Sequence, residues 1–427
     1  MKKQKFLFYS SMLCGTLTLA PSLSNASGFA IVEQNVSSLG NAYAGASSIA
    51  SDASTVFYNP AGMTQLSGRH FSAGLHAIKP TAKFSNINSN VSSGGNGGDA
   101  GGTEIVPNIY FVTPVSEKAK FGIGINAPFG LSTEYDANWV GRYHAIKSQV
   151  KTININPSIG FSTNTPFSFG VGMDIQYMDA ELTRALNFSV LNPAFADGFA
   201  KVQGDNWGIG YNFGILFAPQ KESRIGFTYR SQIKHKLNGS GEFTVPDTVL
   251  AANSLIGVRF ANSDATADIT LPESWALSSY HELTKKWELL GEITFTKWSQ
   301  VQELIIDYEN PYNPNTVEEL KFRNTYRYAI GANFKPNDRF TYRLGFAFDE
   351  GAAPNATYRS PRIPDHDRTW LALGLGYHQN AISFDVGYAH LFVDDSYINR
   401  TNETGDTLNG KYELAVDIFS AQFNYAF

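Results

Sequence analysis

Cysteine is nearly absent. Of 427 residues only Cys14 carries a thiol, which excludes a disulfide scaffold and a cysteine-based zinc site. Charge is sparse at 17%, against the ~25% usual for soluble domains. Beyond the N-terminus there is no run of about 18 apolar residues, so a helical membrane protein is excluded. No phosphate-cradling glycine motif occurs, and no Ser–His pair stands at a spacing that would serve a lipid hydrolase. What is abundant is aromatic and small: 31 Phe, 21 Tyr and 38 Gly, with 43% of residues hydrophobic. Aromatics and glycine without charge or a spanning helix point to a β-barrel.

The first residues form an address label. Lys2, Lys3 and Lys5 precede an apolar stretch from Phe6 to Ala20, and Ser24-Asn25-Ala26 supplies the small residues of a cleavage site. Residues 1–26 are therefore expected to be a signal peptide, whose removal leaves no cysteine at all. Removal also leaves 30 basic against 38 acidic residues, a net charge of −8. That balance is opposite to the footprint of a nucleic-acid binder.

From Phe71 onward the period is two. Phe340, Tyr342, Leu344, Phe346 and Phe348 share one face, and Thr341, Arg343, Gly345 and Ala347 share the other. In a sandwich a second sheet would have to cover so aromatic a face; in an outer-membrane barrel lipid covers it, and the polar face lines the lumen. Alternating runs at 70–84, 104–115, 119–130, 146–163, 166–186, 204–219, 222–240, 264–281, 285–307, 319–336, 339–350, 366–379, 381–396 and 411–427 predict a 14-stranded antiparallel transmembrane β-barrel spanning 70–427. Short connections such as Ser116-Glu117-Lys118 and Gln379-Asn380 alternate with long ones (85–103, 131–145, 187–203, 241–263, 308–318, 351–365, 397–410), as periplasmic turns alternate with external loops. The chain ends on the alternating Phe419, Ala421, Phe423, Tyr425 and Phe427.

Residues 27–69 fit no barrel strand. They are rich in small residues but carry Ile31, Val32, Leu39, Tyr43, Val56, Phe57 and Met63, too apolar for a disordered tail. They are expected to fold back into the lumen as a hatch.

Several segments carry a resemblance: Ser27-Gly28-Phe29, Ser38-Leu39-Gly40-Asn41-Ala42-Tyr43-Ala44-Gly45 and Asn59-Pro60-Ala61, then Asn206-Trp207-Gly208, Thr228-Tyr229-Arg230-Ser231, Leu271-Pro272-Glu273, Trp298-Ser299-Gln300, Tyr326-Arg327, Ile363-Pro364-Asp365-His366-Asp367-Arg368 and Asn424-Tyr425-Ala426-Phe427. In this order the chain resembles the FadL/TodX family of outer-membrane transporters of hydrophobic compounds. The resemblance implies a barrel closed by an N-terminal hatch in the outer membrane. A long-chain fatty acid or other hydrophobic small molecule would be captured at an external apolar groove. It would then be released sideways into outer-membrane lipid through a gap at a kinked third strand. No enzyme activity, cofactor, metal or nucleic-acid partner is implied, and a monomer is expected. Aromatic hydrocarbon transport by the same fold is the first alternative; a lipid hydrolase or an open porin fits less well.

The residues offer candidates for each part. Phe188, Leu191, Phe195 and Phe199 after strand five, and Leu250, Leu255 and Phe260 after strand seven, give a groove, unless these loops simply pack on each other. Arg184 falls where the family places its carboxylate-contacting arginine. The family's second cation, a lysine near the start of strand ten, is replaced here by Glu318, with Lys321 nearby and, by alternation, on the opposite face. Asn126, Pro128 and Gly130 mark the kink, because Pro128 has no N–H to donate to a ladder. Phe29, Asn59, Pro60 and Ala61 belong to the hatch, and Arg327, Arg343, Asp365, Asp367 and Arg368 are expected to grip it from the wall. Alternation would place His366 opposite Asp365 and Asp367, against a metal site.

Overall fold

The computed structural model describes residues 28–427, so the expected signal peptide and Cys14 lie outside the described residues. The chain forms a closed antiparallel barrel of 14 staves. In order they are His70–Asn86; Glu104–Pro114; Ala119–Asn126 with Gly130–Glu134; Lys147–Ser162; Phe167–Leu186; Gly198–Gln220; Ser223–Arg230 with Ile233–Thr244; Ser263–Leu271 with Ser274–Thr284; Trp287–Thr296 with Glu303–Tyr308; Thr316–Glu319 with Thr325–Phe334; Phe340–Asp349; Arg368–Gln379; Ile382–Val393 with Ser396–Thr401; and Thr407–Ala426. Each stave pairs with its neighbours in sequence. The first pairs with the last from His70↔Ala426 to Asn86↔Gly410, which leaves no free edge.

The alternation has the expected sense. On the eleventh stave Tyr342, Leu344 and Phe346 are 49%, 53% and 46% exposed, while Ala347 is fully buried and Arg343 nearly so. The aromatic face therefore points away from the bore. Several expected strands prove to be two pieces in one stave. Ser231-Gln232, Pro272-Glu273 and the turn Trp298–Gln300 interrupt ladders that alternation alone ran through. The sixth stave starts at Gly198 rather than 204, and the last at Thr407 rather than 411, because Gly198 already pairs with Leu186 and Thr407 with Thr401.

Residues 28–66 lie against the inward faces of the staves as short helical turns: Leu39–Asn41, Ala46–Ile49, Thr55–Tyr58 and Pro60–Gln65. Their polar groups bond to the wall. Val36 N–H donates to Gln422 Oε1 at 2.7 Å, Arg327 Nη2 donates to the Ala42 carbonyl at 2.6 Å, and Ser47 N–H donates to Glu292 Oε2 at 3.0 Å. Asn59 accepts from Ala61 N–H at 3.1 Å and donates to the carbonyls of Ser47 at 2.8 Å and Ile215 at 3.1 Å. Wall glycines let the segment come close: a Cβ at Gly214 would lie 1.9 Å from the side-chain Oδ1 of Asn59, and one at Gly345 2.0 Å from the Asn41 carbonyl carbon. Leu39, Tyr43 and Tyr58 pack with Leu290, Trp370 and Ile418 of the wall.

Candidate functional site

Three cavities run in series from the external end toward the wall. The outermost, a vestibule of about 420 Å³, is lined by Tyr143, His144, Arg184, Glu318, Arg362 and Arg400, among others. Glu318 and Arg362 also line the second, a narrow tunnel of about 90 Å³ whose sides are Met178, Leu182, Val202, Leu237, Ile306 and Leu320. The tunnel ends at Phe29, Leu131, Val150 and Ile363, which also line the third cavity, of about 530 Å³. That cavity reaches Ile105, Pro107, Ile125 and Ile153. Of these, Ile105, Ile125 and Ile153 are 60%, 46% and 51% exposed and belong to the barrel's outer face, so the third cavity passes through the wall.

The register explains the opening. Asn126 pairs with Asn154 and Gly130 with Lys151, so three residues of the third stave face two of the fourth: a bulge of one. Pairing with the second stave stops at Ile109↔Ile125, leaving Glu104 to Asn108 bonded only to the first stave. Pro107 and Pro128 flank this seam, and neither has an N–H to close it. The freed groups are taken by the N-terminal strip. Ile31 N–H donates to the Pro128 carbonyl at 2.9 Å, Gly130 N–H to the Phe29 carbonyl at 3.0 Å, and Gln34 Nε2 to the Ala127 carbonyl at 2.9 Å. Phe29 packs edge-on against Trp298 at 5.1 Å and tilted against Phe129 at 6.0 Å.

Arg184 points inward into the vestibule, and no carboxylate among the described residues pairs with it. The cation at the tunnel mouth is instead Arg362, which sequence reasoning missed although it adjoins the Ile363-Pro364-Asp365 motif. Its Nε lies 3.1 Å from Glu318 Oε2; Nη1 donates to Ser148 Oγ at 2.8 Å and Nη2 to the His144 carbonyl at 2.9 Å. Ser360 Oγ donates to the other oxygen of Glu318. The alternation argument about Lys321 does not apply, because the short strand ends at Glu319. Lys321 has a left-handed backbone (φ 48°) and pairs with Glu319 at 3.3 Å.

The groove candidates separate. Phe188 is buried and meets Phe260 at 5.7 Å, with Phe195 packed against the same cluster, so these loops cap one another. Leu191 and Leu255 remain 61% and 72% exposed, and Leu250 is half-buried. Phe199 lies on the sixth stave, not in a loop, and faces outward; the strand's longer reach removes it from the groove.

The charged candidates are held at separate points of the wall, with Arg327 bonded to the Ala42 carbonyl. Arg343 pairs with Asp385 at 2.7 Å beneath Gly40. Asp365 accepts from Gly28 N–H at 3.1 Å and Ala352 N–H at 2.9 Å and pairs with Arg368 at 3.1 Å. His366 and Asp367 precede the strand that starts at Arg368, so alternation does not separate them. Their ligand atoms and one of Asp394 lie within 4.8 Å of one another, and burial, helped by the charge of Arg359, holds the His366 imidazole below its ordinary range.

Glu33, next to the strip's bonds, is buried, and burial lifts its carboxyl to about 7 despite the pull of Arg368 and Arg327. A value above the ordinary 4.5 means that this residue's contribution is fully present below about pH 4.5 and is lost as pH rises through about 7. The strip is therefore expected to loosen across that window and not beyond it, while a Glu33→Gln chain shows no such change. Amide exchange of residues 29–34, measured against the variant at about pH 5 and about pH 8, checks this.

Residues 17–427 match the family model described as outer membrane protein transport protein (OMPP1/FadL/TodX). The chain belongs to the FadL/TodX family. A long-chain fatty acid transport protein of Escherichia coli O6:H1 is 31% identical over 447 aligned residues, covering 99% of this chain and 100% of that protein. Outer membrane protein P1 of Haemophilus influenzae is 29% identical, with 98% and 99% covered. Among solved structures, a Pseudomonas aeruginosa FadL homologue is 25% identical with a TM-score of 0.87, covering 94% of this chain and all of that one. The Ralstonia pickettii toluene transporter TbuX shares the fold at 17% identity and a TM-score of 0.67, with 92% and 98% covered. As a FadL/TodX barrel, the protein resides in the bacterial outer membrane.

Proposed function

We propose that the protein takes up long-chain fatty acids or similar hydrophobic molecules passively. The tail enters the tunnel from the vestibule, the N-terminal strip acts as the hatch, and the molecule leaves sideways through the seam between the second and third staves. The observation that carries this reading is the series of three cavities, sharing Glu318 and Arg362 at one junction and Phe29 with Ile363 at the other, that ends on the lipid-facing side. A tunnel of aliphatic side chains suits an acyl tail, and burying each methylene there contributes about 0.8 kcal/mol. Leu191 and Leu255, exposed on the external loops, offer a first landing place for such a tail.

The acyl reading is favoured over aromatic hydrocarbons by the vestibule, since an arginine without a carboxylate partner gains a charge-assisted hydrogen bond from a carboxylate but only a weaker cation–π contact from toluene. Replacing Arg184 with Ala should weaken oleate binding to the detergent-solubilised protein by about tenfold, as loss of one partly screened charge-assisted bond does. Oleyl alcohol should be affected less than twofold. Equal losses for both ligands would remove Arg184 from the site, and a wild-type protein that binds toluene but not oleate would favour the alternative.

A further inference from the structure

Sideways release sets a task that Arg184 cannot perform, because it stands on the far side of the tunnel. A head group leaving the third cavity passes beside hydrocarbon, where a carboxylate without a partner is costly. Six ionisable side chains line that cavity: Glu33, Glu104, Lys151, Asp365, His366 and Arg368. Arg368 is committed to Asp365 at 3.1 Å, and burial lifts the Glu33 carboxyl and holds down the His366 imidazole. Glu104 stands opposite Ile78, which packs against the inner cluster, so it faces the bore. Lys151 faces the other way. Its neighbour Val150 lines the tunnel, so Lys151 shares the outward face with Ile153, and it makes no ion pair among the described residues. The outward side chains of the fourth stave are uncharged from Phe161 to Ile153, and those of the fifth from Phe167 to Tyr177. Both rows turn charged at the pair Lys151↔Asp179, which marks the external edge of the lipid band. On its other side Lys151 pairs with Gly130, the first pair beyond the bulge, and it borders the cavity while Asp179 does not.

We propose that Lys151 is the exit-side anchor of the transport path: it takes the anionic head group of the departing molecule at the outer edge of the lipid band, once the tail has passed through the seam. The inference rests on the uptake reading and adds the residue that receives the ligand after Arg184 has released it. A lysine suits the place, since its long stem lies along apolar surface while its ammonium stays at the polar edge. Pairing with it gives the departing carboxylate a partner at the one point of the path that borders hydrocarbon, with the tail already in lipid. The anchor acts on charge, so an alcohol with the same tail gains nothing from it.

The test measures protein-dependent uptake of oleate and of oleyl alcohol by cells expressing the full-length chain. Cys14 is the only cysteine and lies in the expected signal peptide, so Lys151→Cys places a single thiol in the mature chain, on the outer face. Lys151→Cys should lower oleate uptake about fivefold, the upper end for an exposed ion pair, and leave the alcohol within about twofold. Aminoethyl methanethiosulfonate, which restores a positive charge, should bring oleate uptake back to within about twofold of wild type, and sulfonatoethyl methanethiosulfonate should not. Because the same assembled molecules are measured before and after modification, the contrast between the reagents separates charge from folding. Lys151→Gln should match the unmodified Lys151→Cys chain and serves if that chain does not reach the membrane. Oleate uptake at the wild-type rate, equal losses for both probes, or equal effects of both reagents overturn the anchor. Wild-type cells that take up neither probe overturn the uptake reading itself.

Discussion

Deleting Pro128 should stop uptake while sparing binding. Three residues, Ala127, Pro128 and Phe129, stand opposite two, Ile153 and Thr152, so removing one restores a one-to-one register. The proline is the right one to remove. Without it Ala127 takes the place opposite Ile153 and faces outward, and Phe129 stays opposite Thr152, to which its N–H already donates at 3.1 Å. Alternation then continues unbroken into Gly130 and Leu131, and the third stave presents a straight edge to Glu104 to Asn108. With the seam zipped, a molecule in the third cavity has no route to lipid. Oleate uptake by cells expressing the variant should fall at least about tenfold, equivalent to ~1.4 kcal/mol or more on the barrier. Binding to the purified variant should stay within about twofold, since vestibule and tunnel lie on the other side of Phe29. Uptake at the wild-type rate would show that molecules leave by another path.

The second large effect is expected at Gly345. Its missing side chain is what lets the eleventh stave touch the backbone of Asn41, and a Cβ there would lie 2.0 Å from that carbonyl carbon and 2.3 Å from Ala42 N. Neither neighbour is the tip of a flexible side chain, so Gly345→Val must push the Leu39–Asn41 turn off the wall. Overpacking of this kind costs roughly 1–3 kcal/mol where a core can adjust, and more where backbone blocks backbone. The turn carries Ala42, whose carbonyl accepts from Arg327, so that buried guanidinium would lose a partner too. The variant should expose residues 28–66 to protease and raise single-channel conductance. Gly102→Val, where nothing lies within 4 Å, is the matched control and should behave as wild type. A Gly345→Val barrel with intact protection would mean that the segment is held elsewhere.

The barrel was legible because one face of every stave meets lipid and the other the lumen, a contrast that period-two patterning records directly. The breaks within staves were not. Ser231-Gln232 differs little in composition from the strand residues around it, whereas Pro272, which has no N–H for a ladder, was a signal that the alternation overrode. Arg184 could be placed from the family resemblance, but Arg362 could not. It lies in the long 351–365 loop, and only tertiary folding brings that loop against Lys147, Ser148 and His144. Parity also failed for Glu318 and Lys321, because it presumes one continuous strand where the chain turns at Leu320. The capping of Phe188 by Phe260 joins two loops far apart in sequence, which composition could flag as apolar but could not pair.

The seam between the first and last staves carries a consequence for biogenesis. Because His70 to Asn86 finds its second partner only in residues 410 to 426, the cylinder cannot shut until that stave has been made and exported. Residues 28–66 are bonded to side chains as late in the chain as Gln422, so their full set of contacts exists only once that stave is in place. An early-made segment thus waits for a late-made one, and a chain lacking Thr407–Ala426 would leave residues 28–66 without the partner they have in Gln422.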